Sequence, residues 1–108
     1  MSDGQNAIEV FESRRFGKAL KKLPDAVLKV VEDEIDRLIA DPLLGEQKKG
    51  DLAFLRVHKF PLNCQQMLLV YSWQQERLHL YLLSFGSHEN FYDDLKRLRD
   101  VDLKLVDG

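Results

Sequence analysis

Two short stretches of this 108-residue chain place side chains capable of acid–base chemistry where the secondary structure should change. In the first stretch, an alternating apolar run ends at Gly86 and an amphipathic run begins near Ser87, with His88 and Tyr92 just beyond. A strand that ends at Gly86 and a helix that begins near Ser87 would hold His88 and Tyr92 at the edge of a sheet. Such corners commonly present reactive side chains on a rigid support.

The second stretch, residues 52–60, alternates in a way that is typical of a strand. Arg56 and His58 lie two residues apart and therefore share a face, whereas Leu55 and Val57 share the other. If Leu55 and Val57 pack against helices, Arg56 and His58 point to an open face of the sheet. They would then be either members of a site or simply solvent-facing strand residues, because alternation alone also predicts polar residues there.

The apolar periodicity predicts an α+β fold in a single domain, residues 1–108. The predicted order is β-α-α-β-β-β-α, with strands over 7–11, 52–60, 66–73 and 77–85, two helices between Ser13 and Asp41, and a closing helix from about Ser87 to Leu98. Tight connections between the last three strands predict a mainly antiparallel sheet, and the two N-terminal helices should pack on one face of it. The tail after residue 98 could extend the helix, dock as a strand or await a partner.

Composition narrows the class of protein. The apolar fraction of 44%, the charged fraction of 31% and the short apolar runs predict a globular chain with no membrane segment. The single cysteine, Cys64, and the lack of a signal-peptide pattern favour the cytoplasm. No spacing of histidine and cysteine predicts a metal site, and no glycine-rich phosphate loop is present, so we expect no cofactor.

Charge is segregated along the chain although the net charge is only −2. Residues 11–23 carry five cations and one carboxylate, whereas residues 25–41 carry two cations and six carboxylates. Residues 44–66 again carry an excess of two cations. A local basic face can bind an anionic polymer even when the whole molecule is acidic, but two solvated helices of opposite charge would give the same pattern.

In this order of elements the chain resembles the RelE/ParE superfamily of bacterial toxins from type II toxin–antitoxin systems. The resemblance covers about Ile8 to Leu98 and is carried by short local matches. These are Lys21-Lys22-Leu23-Pro24, the loop with Asp41-Pro42 and Gly45, Leu55 to Phe60, Leu69-Val70-Tyr71, and Gly86 to Tyr92. Each match is weak by itself, and their order in a short chain carries the assignment.

The resemblance implies one of two activities. RelE-like members are endoribonucleases (mRNA interferases) that inhibit translation by cutting mRNA, many of them on the ribosome, whereas ParE-like members inhibit DNA gyrase and are not nucleases. Both kinds are held inactive by a cognate antitoxin protein. A degenerate toxin that only binds its antitoxin is a third possibility.

The RelE-like reaction would be metal-free cleavage by general acid–base chemistry. A base takes the proton of the ribose 2′-OH, a cation stabilises the phosphorane, and an acid protonates the leaving 5′ oxygen. The resemblance assigns the catalytic positions to four residues, Arg56, His58, His88 and Tyr92. Arg56 would clamp the phosphate, His58 or His88 would move protons, and Tyr92 would orient or protonate.

Three lysines are predicted to hold the RNA backbone, namely Lys48, Lys49 and Lys59. The sequence also departs from the family pattern. Leu68 stands near the position of an arginine on the second strand of the meander, and His88 stands where many relatives have arginine. These departures, and the slightly acidic net charge, keep the gyrase alternative open.

Overall fold

The computed structural model describes residues 8–87 and 91–107, and for Phe91 and Tyr92 it describes the backbone only. Within these residues the chain forms five strands, four α-helices and a short 3₁₀ helix. The elements are β1 (Glu9–Glu12), α1 (Arg14–Lys21), α2 (Asp25–Ala40), β2 (Glu46–Gln47), the 3₁₀ helix (Gly50–Leu52), β3 (Arg56–Leu62), β4 (Gln65–Gln74), β5 (His79–Ser87), α3 (Phe91–Arg97) and α4 (Arg99–Asp107).

The strands make one sheet in the order β1-β5-β4-β3-β2. β1 runs parallel to β5, and the other neighbouring strands are antiparallel. The α+β prediction, the mainly antiparallel sheet and the order of the larger elements are therefore confirmed. The sequence did not predict β2. Of the arrangements left open for the tail after residue 98, the structure shows a separate helix, α4.

Two local features of the chain fix the ends of these elements. The Ser13 side chain accepts a hydrogen bond from the Phe16 amide at 3.1 Å and so caps α1. β3 and β4 are joined by Asn63 and Cys64, which have φ angles of 50° and 66°. Positive φ at both residues of a two-residue loop gives a turn whose twist matches that of the strands it joins.

The sheet separates two hydrophobic clusters. The cluster under α1 and α2 contains Phe16, Val31, Leu38, Phe60, Leu69, Tyr71, Leu80 and Leu82. The cluster on the other face contains Leu55, Val57, Leu68, Val70, Tyr81 and Leu83, and it is covered by Leu95 of α3 and Val106 of α4. Helices therefore pack on both faces, and the expectation that one face stays open is wrong over most of the sheet.

Among the described residues, no helix is both long and apolar enough to cross a bilayer.

Candidate functional site

The alternation of β3 is as predicted, but its two sides are reversed relative to the helices. Val57 belongs to the cluster under α3 and α4, whereas Phe60 belongs to the cluster under α1 and α2. Arg56 and His58 share the side of Phe60 and so point towards α1 and α2 rather than to an open face. The expectation that these two residues face solvent together is therefore wrong, because the face of Leu55 and Val57 packs against the C-terminal helices instead.

His58 is buried beneath α2, with an exposed fraction of 8%. Its Nε2 atom lies 2.6 Å from Oε1 of Glu34, a residue of α2, and its ring stacks on Phe60. Arg37 lies 3.5 Å from the same carboxylate oxygen. A carboxylate that binds an imidazole so closely fixes the orientation of the ring, and here the pair joins α2 to β3. These contacts favour a structural role over the predicted catalytic one.

Arg56 holds the loop that follows α2. Its guanidinium donates hydrogen bonds to the carbonyl oxygens of Gly45 at 2.6 Å and Leu43 at 3.3 Å. Tyr71 of β4 is the register partner of Arg56. Its hydroxyl donates a hydrogen bond to the Pro42 carbonyl at 2.7 Å and accepts one from the Gly45 amide at 2.8 Å. Two polar side chains of neighbouring strands thus satisfy the backbone of one loop, which leaves Arg56 less available to clamp a phosphate.

Burial raises the pKa of the Tyr71 hydroxyl, although the hydrogen bond from Gly45 and the nearby charge of Arg56 oppose this shift. Tyr71 is fully buried, with an exposed fraction of 0%. The phenol therefore keeps its proton, which the hydrogen bond to the Pro42 carbonyl requires.

The opposite side of β3 presents Lys59 to solvent. In the sheet register Lys59 pairs with Leu68 of β4, and Leu68 pairs with Gly86 of β5. One cation on β3 and the C-terminal end of β5 therefore lie in one row across three strands. Leu68, in the middle of that row, is buried and apolar.

The predicted residues beyond β5 fall partly outside the described structure. His88 comes directly after Ser87, the last residue of β5, and lies outside the described residues. Tyr92 lies in the first turn of α3, and its side chain is likewise not described. Their predicted roles stay predictions.

The two other predicted lysines lie in the segment after β2. The Lys48 amide donates to the Leu55 carbonyl at 3.0 Å, and Lys49 is exposed and precedes the 3₁₀ helix. β2 pairs with Arg56 and Val57, at the N-terminal end of β3, whereas Lys59 lies further along that strand. The three lysines are thus spread over the part of the sheet formed by β2 and β3 rather than gathered at one point.

A cleft of about 450 Å³ lies at the C-terminal end of β5, between α1 and α3. Its walls include Arg15 of α1, Ser84 and Gly86 of β5, and Asp94 and Arg97 of α3. The Nε atom of Arg15 donates to the Ser84 hydroxyl at 2.8 Å. Hydroxyl, guanidinium and backbone groups therefore line the cleft next to the end of the strand that leads to His88.

A second contact of Arg15 ties this cleft to the C-terminal helix. Its Nη2 atom lies 2.7 Å from Oδ2 of Asp102, a residue of α4 that is fully buried. The other carboxylate oxygen, Oδ1, has no hydrogen-bond partner among the described residues. Neither residue was predicted to belong to a site, because a contact between residues 15 and 102 leaves no local pattern in the sequence.

Metal binding finds no support in the described part of the chain. Within residues 8–87 and 91–107, no three His, Cys, Asp or Glu side chains come together in a way that could hold a metal ion.

The chain matches the model of one protein family. A family model described as "ParE-like toxin of type II bacterial toxin-antitoxin system" matches residues 10–96. The chain belongs to this family of toxins. A search of curated proteins found no match.

Solved structures support the same fold. The toxin is similar to a chain of the intact Escherichia coli RelBE toxin–antitoxin complex, with a TM-score of 0.62 and 20% identity over 77% of this chain and 99% of that one. For a RelBE toxin–antitoxin complex of Mycobacterium tuberculosis the TM-score is 0.63, with 23% identity over 76% and 99% of the two chains. For the archaeal RelE–RelB complex of Pyrococcus horikoshii it is 0.55, with 19% identity over 77% and 97%. At these identities the likeness concerns the fold, and it confirms the RelE/ParE resemblance.

Proposed function

We propose that this toxin is a metal-free endoribonuclease that cuts mRNA and thereby inhibits translation, and that a cognate antitoxin holds it inactive. The observation that carries the proposal is the row formed by Lys59, Leu68 and Gly86, which brings an exposed cation of β3 towards the end of β5. His88 follows two residues after Gly86 in the sequence. The family fold, shared with RelE chains of solved toxin–antitoxin complexes, agrees with this choice.

The proposed site differs from the one expected from sequence. Lys59 replaces Arg56 as the cation that stabilises the developing charge on the phosphorane, because Arg56 is engaged with the loop carbonyls. His88 is the proposed proton carrier, since the imidazole pKa is ordinarily close to neutrality. Tyr92 is proposed to orient or protonate the leaving oxygen. His58 leaves the catalytic set because Glu34 and Phe60 enclose it.

The test is a substitution of the cation. Lys59→Ala should lower the rate of RNA cleavage at least about 100-fold, in the range seen when one group that stabilises the transition-state charge is removed. Growth arrest on expression should be relieved in parallel. Lys104→Ala, which removes an exposed lysine of α4, is the matched control and should cleave at the wild-type rate. Equal cleavage by wild type and Lys59→Ala would refute the proposed site.

A second function, inhibition of DNA gyrase, is favoured by one observation. Leu68, at the centre of the row, is buried and apolar, whereas a second cation at this position would help a nuclease to stabilise the phosphorane. A supercoiling assay with purified gyrase separates the two functions. Inhibition of gyrase together with intact RNA substrate would replace the nuclease proposal, whereas RNA cleavage without an effect on supercoiling would exclude the gyrase alternative.

A further inference from the structure

The exposed side of α1 carries a concentrated positive charge. Arg14, Lys18, Lys21 and Lys22, the last at the C-cap, are all exposed. At 3.6 residues per turn, these four positions fall within about 100° of the helix circumference. We refer to this set of four side chains as the basic face of α1.

The residues of the basic face make no direct ion pairs with the described carboxylates. No ion pair joins any of its four residues to a carboxylate within residues 8–87 and 91–107. The neighbouring helix α2 behaves differently, because its Lys29 pairs with Asp33 at 3.0 Å and its Arg37 with Glu34 at 3.5 Å. Both cations of α2 are therefore paired within their own helix, whereas the cations of the basic face have no such partner among the described residues.

Helix stability does not account for this pattern. Like charges three or four residues apart destabilise a helix by roughly 0.2–0.5 kcal/mol per pair, and the basic face contains several such pairs. Arg14 also lies at the helix N-terminus, where the macrodipole disfavours a cation, and the first turn has no acidic residue. Lys18 and Lys21 in the last turn and Lys22 at the C-cap are favourably placed for the macrodipole, but they still repel one another at spacings of three and four residues. The unfavourable charges are explained if a polyanion binds them.

The basic face borders the cleft at the end of β5. Arg15 and Ala19, on the adjoining side of α1, line that cleft together with Gly86 and Arg97. The distance along the helix axis from Arg14 to Lys22 is about 12 Å, which is long enough to face more than one phosphate of a nucleic-acid strand. An RNA strand lying along α1 would therefore enter the cleft at the C-terminal end of β5, next to Gly86 of the proposed site.

We propose that the basic face of α1 binds the sugar–phosphate backbone of single-stranded RNA and directs the strand into this cleft. The inference rests on the proposed function, in that it names the surface that holds the substrate of that reaction. Lysines make up three of the four residues, and protein–protein interfaces are depleted in lysine and use aromatic anchors instead. Repeated point charges without such anchors suit phosphates, whose recognition does not depend on sequence.

The test measures binding separately from cleavage. A fluorescent 12-nucleotide RNA of mixed sequence with 2′-O-methyl groups throughout cannot be cut by attack of a 2′-OH. Its affinity for the full-length toxin is measured by fluorescence anisotropy at several salt concentrations. The variant Lys18→Gln/Lys21→Gln/Lys22→Gln is compared with Arg77→Gln/Lys96→Gln/Lys104→Gln, a control that removes three exposed cations elsewhere.

Loss of three phosphate contacts should reduce the slope of log K against log salt by about 2, since each contact to a single strand contributes about 0.7. Affinity near physiological salt should fall at least about tenfold in the α1 variant and change little in the control. Circular dichroism checks that both variants are folded. Equal affinity and slope for wild type and the α1 variant would overturn the inference, as would failure of the wild type to bind the RNA.

A parallel assay with an unmodified RNA of the same sequence distinguishes this inference from the proposed function. Binding that depends on α1 without any cleavage would refute the nuclease and leave the binding surface standing. If the α1 variant binds and cleaves RNA as the wild type does, the binding surface is refuted and the nuclease proposal stands. If the α1 variant instead loses affinity only for the antitoxin, the basic face serves a protein partner and the inference is wrong.

Discussion

The two sides of β3 treat their polar side chains differently. On the side of α1 and α2, His58 is hydrogen-bonded to Glu34, and Arg56 donates hydrogen bonds to loop carbonyls. On the other side, Lys59 is exposed although Val57, two residues earlier on the same side, is buried under the C-terminal helices. Residue type alone therefore does not identify a functional cation. Its position relative to the covering helices decides whether it supports the fold or remains available to a ligand.

The largest effect on stability should follow from breaking the pair under α2. His58→Ala leaves the carboxylate of Glu34, with an exposed side-chain fraction of only 13%, without its closest partner and leaves a cavity beside Phe60. The free energy of unfolding should fall by about 3 kcal/mol, the scale for a large truncation in a core together with the loss of a buried hydrogen bond to a carboxylate. Urea unfolding measures this change. A loss below about 1 kcal/mol would contradict the structural role assigned to His58.

A somewhat smaller loss is expected where the loop meets Tyr71. A Cβ at Gly45 would lie 2.8 Å from the ring and hydroxyl of Tyr71 and 3.0 Å from the backbone of Val57, so Gly45→Ala must displace packed atoms. Overpacking of this kind costs about 1–3 kcal/mol. Gly17→Ala is the matched control, because its Cβ would approach only a side-chain oxygen of Glu12 and alanine favours helix α1. The Tm should fall in the first variant and stay level or rise in the second.

The raised pKa of Tyr71 predicts a pH dependence on the same side of the sheet. Because the folded state resists ionisation of the phenol, this contribution is fully present below the unfolded pKa of about 10 and is lost as the pH rises towards the folded value. Stability should decline there by about 1.4 kcal/mol per pH unit. Tyr71→Phe should remove this part of the decline. If the stability of the wild type and of Tyr71→Phe varied identically with pH, the contribution assigned to Tyr71 would be wrong.

The smallest effect on stability should come from the exposed side of β3. Lys59→Ala removes a solvent-facing charge and should change the free energy of unfolding by less than about 0.5 kcal/mol. Combined with the expected loss of RNA cleavage, this result would separate function from fold at adjacent residues of one strand. A large loss of stability would instead show that Lys59, like His58, has a structural role.

Much of the fold was predictable because its signals are local. The stripes of α1 and α2, the Ser13 cap and the alternation of the three long strands each occupy one segment of sequence. What alternation could not give is the side of the sheet on which the first two helices lie. Both sides of β3 carry apolar residues, Phe60 on one and Val57 on the other, so either side could have met α1 and α2.

The candidate site was less predictable because it depends on contacts between distant segments. Lys59 was expected to bind RNA from its type and place, and the row through Leu68 to Gly86 became visible only with the strand register. The contact of Arg15 with Asp102 joins positions 87 residues apart. β2 and α4 were missed for a different reason, since a two-residue strand and a weakly periodic tail carry too little pattern to be recognised.

The hydroxyl of Ser13 has a consequence for how the molecule assembles. It caps α1 and also donates to the Leu83 carbonyl at 2.6 Å, a bond that spans 70 residues of sequence. A helix of eight residues does not persist in water without such tertiary support. Amide exchange at Phe16 should therefore follow global unfolding rather than local fraying, and the cationic helix should acquire its shape only after the far end of the chain has joined the sheet.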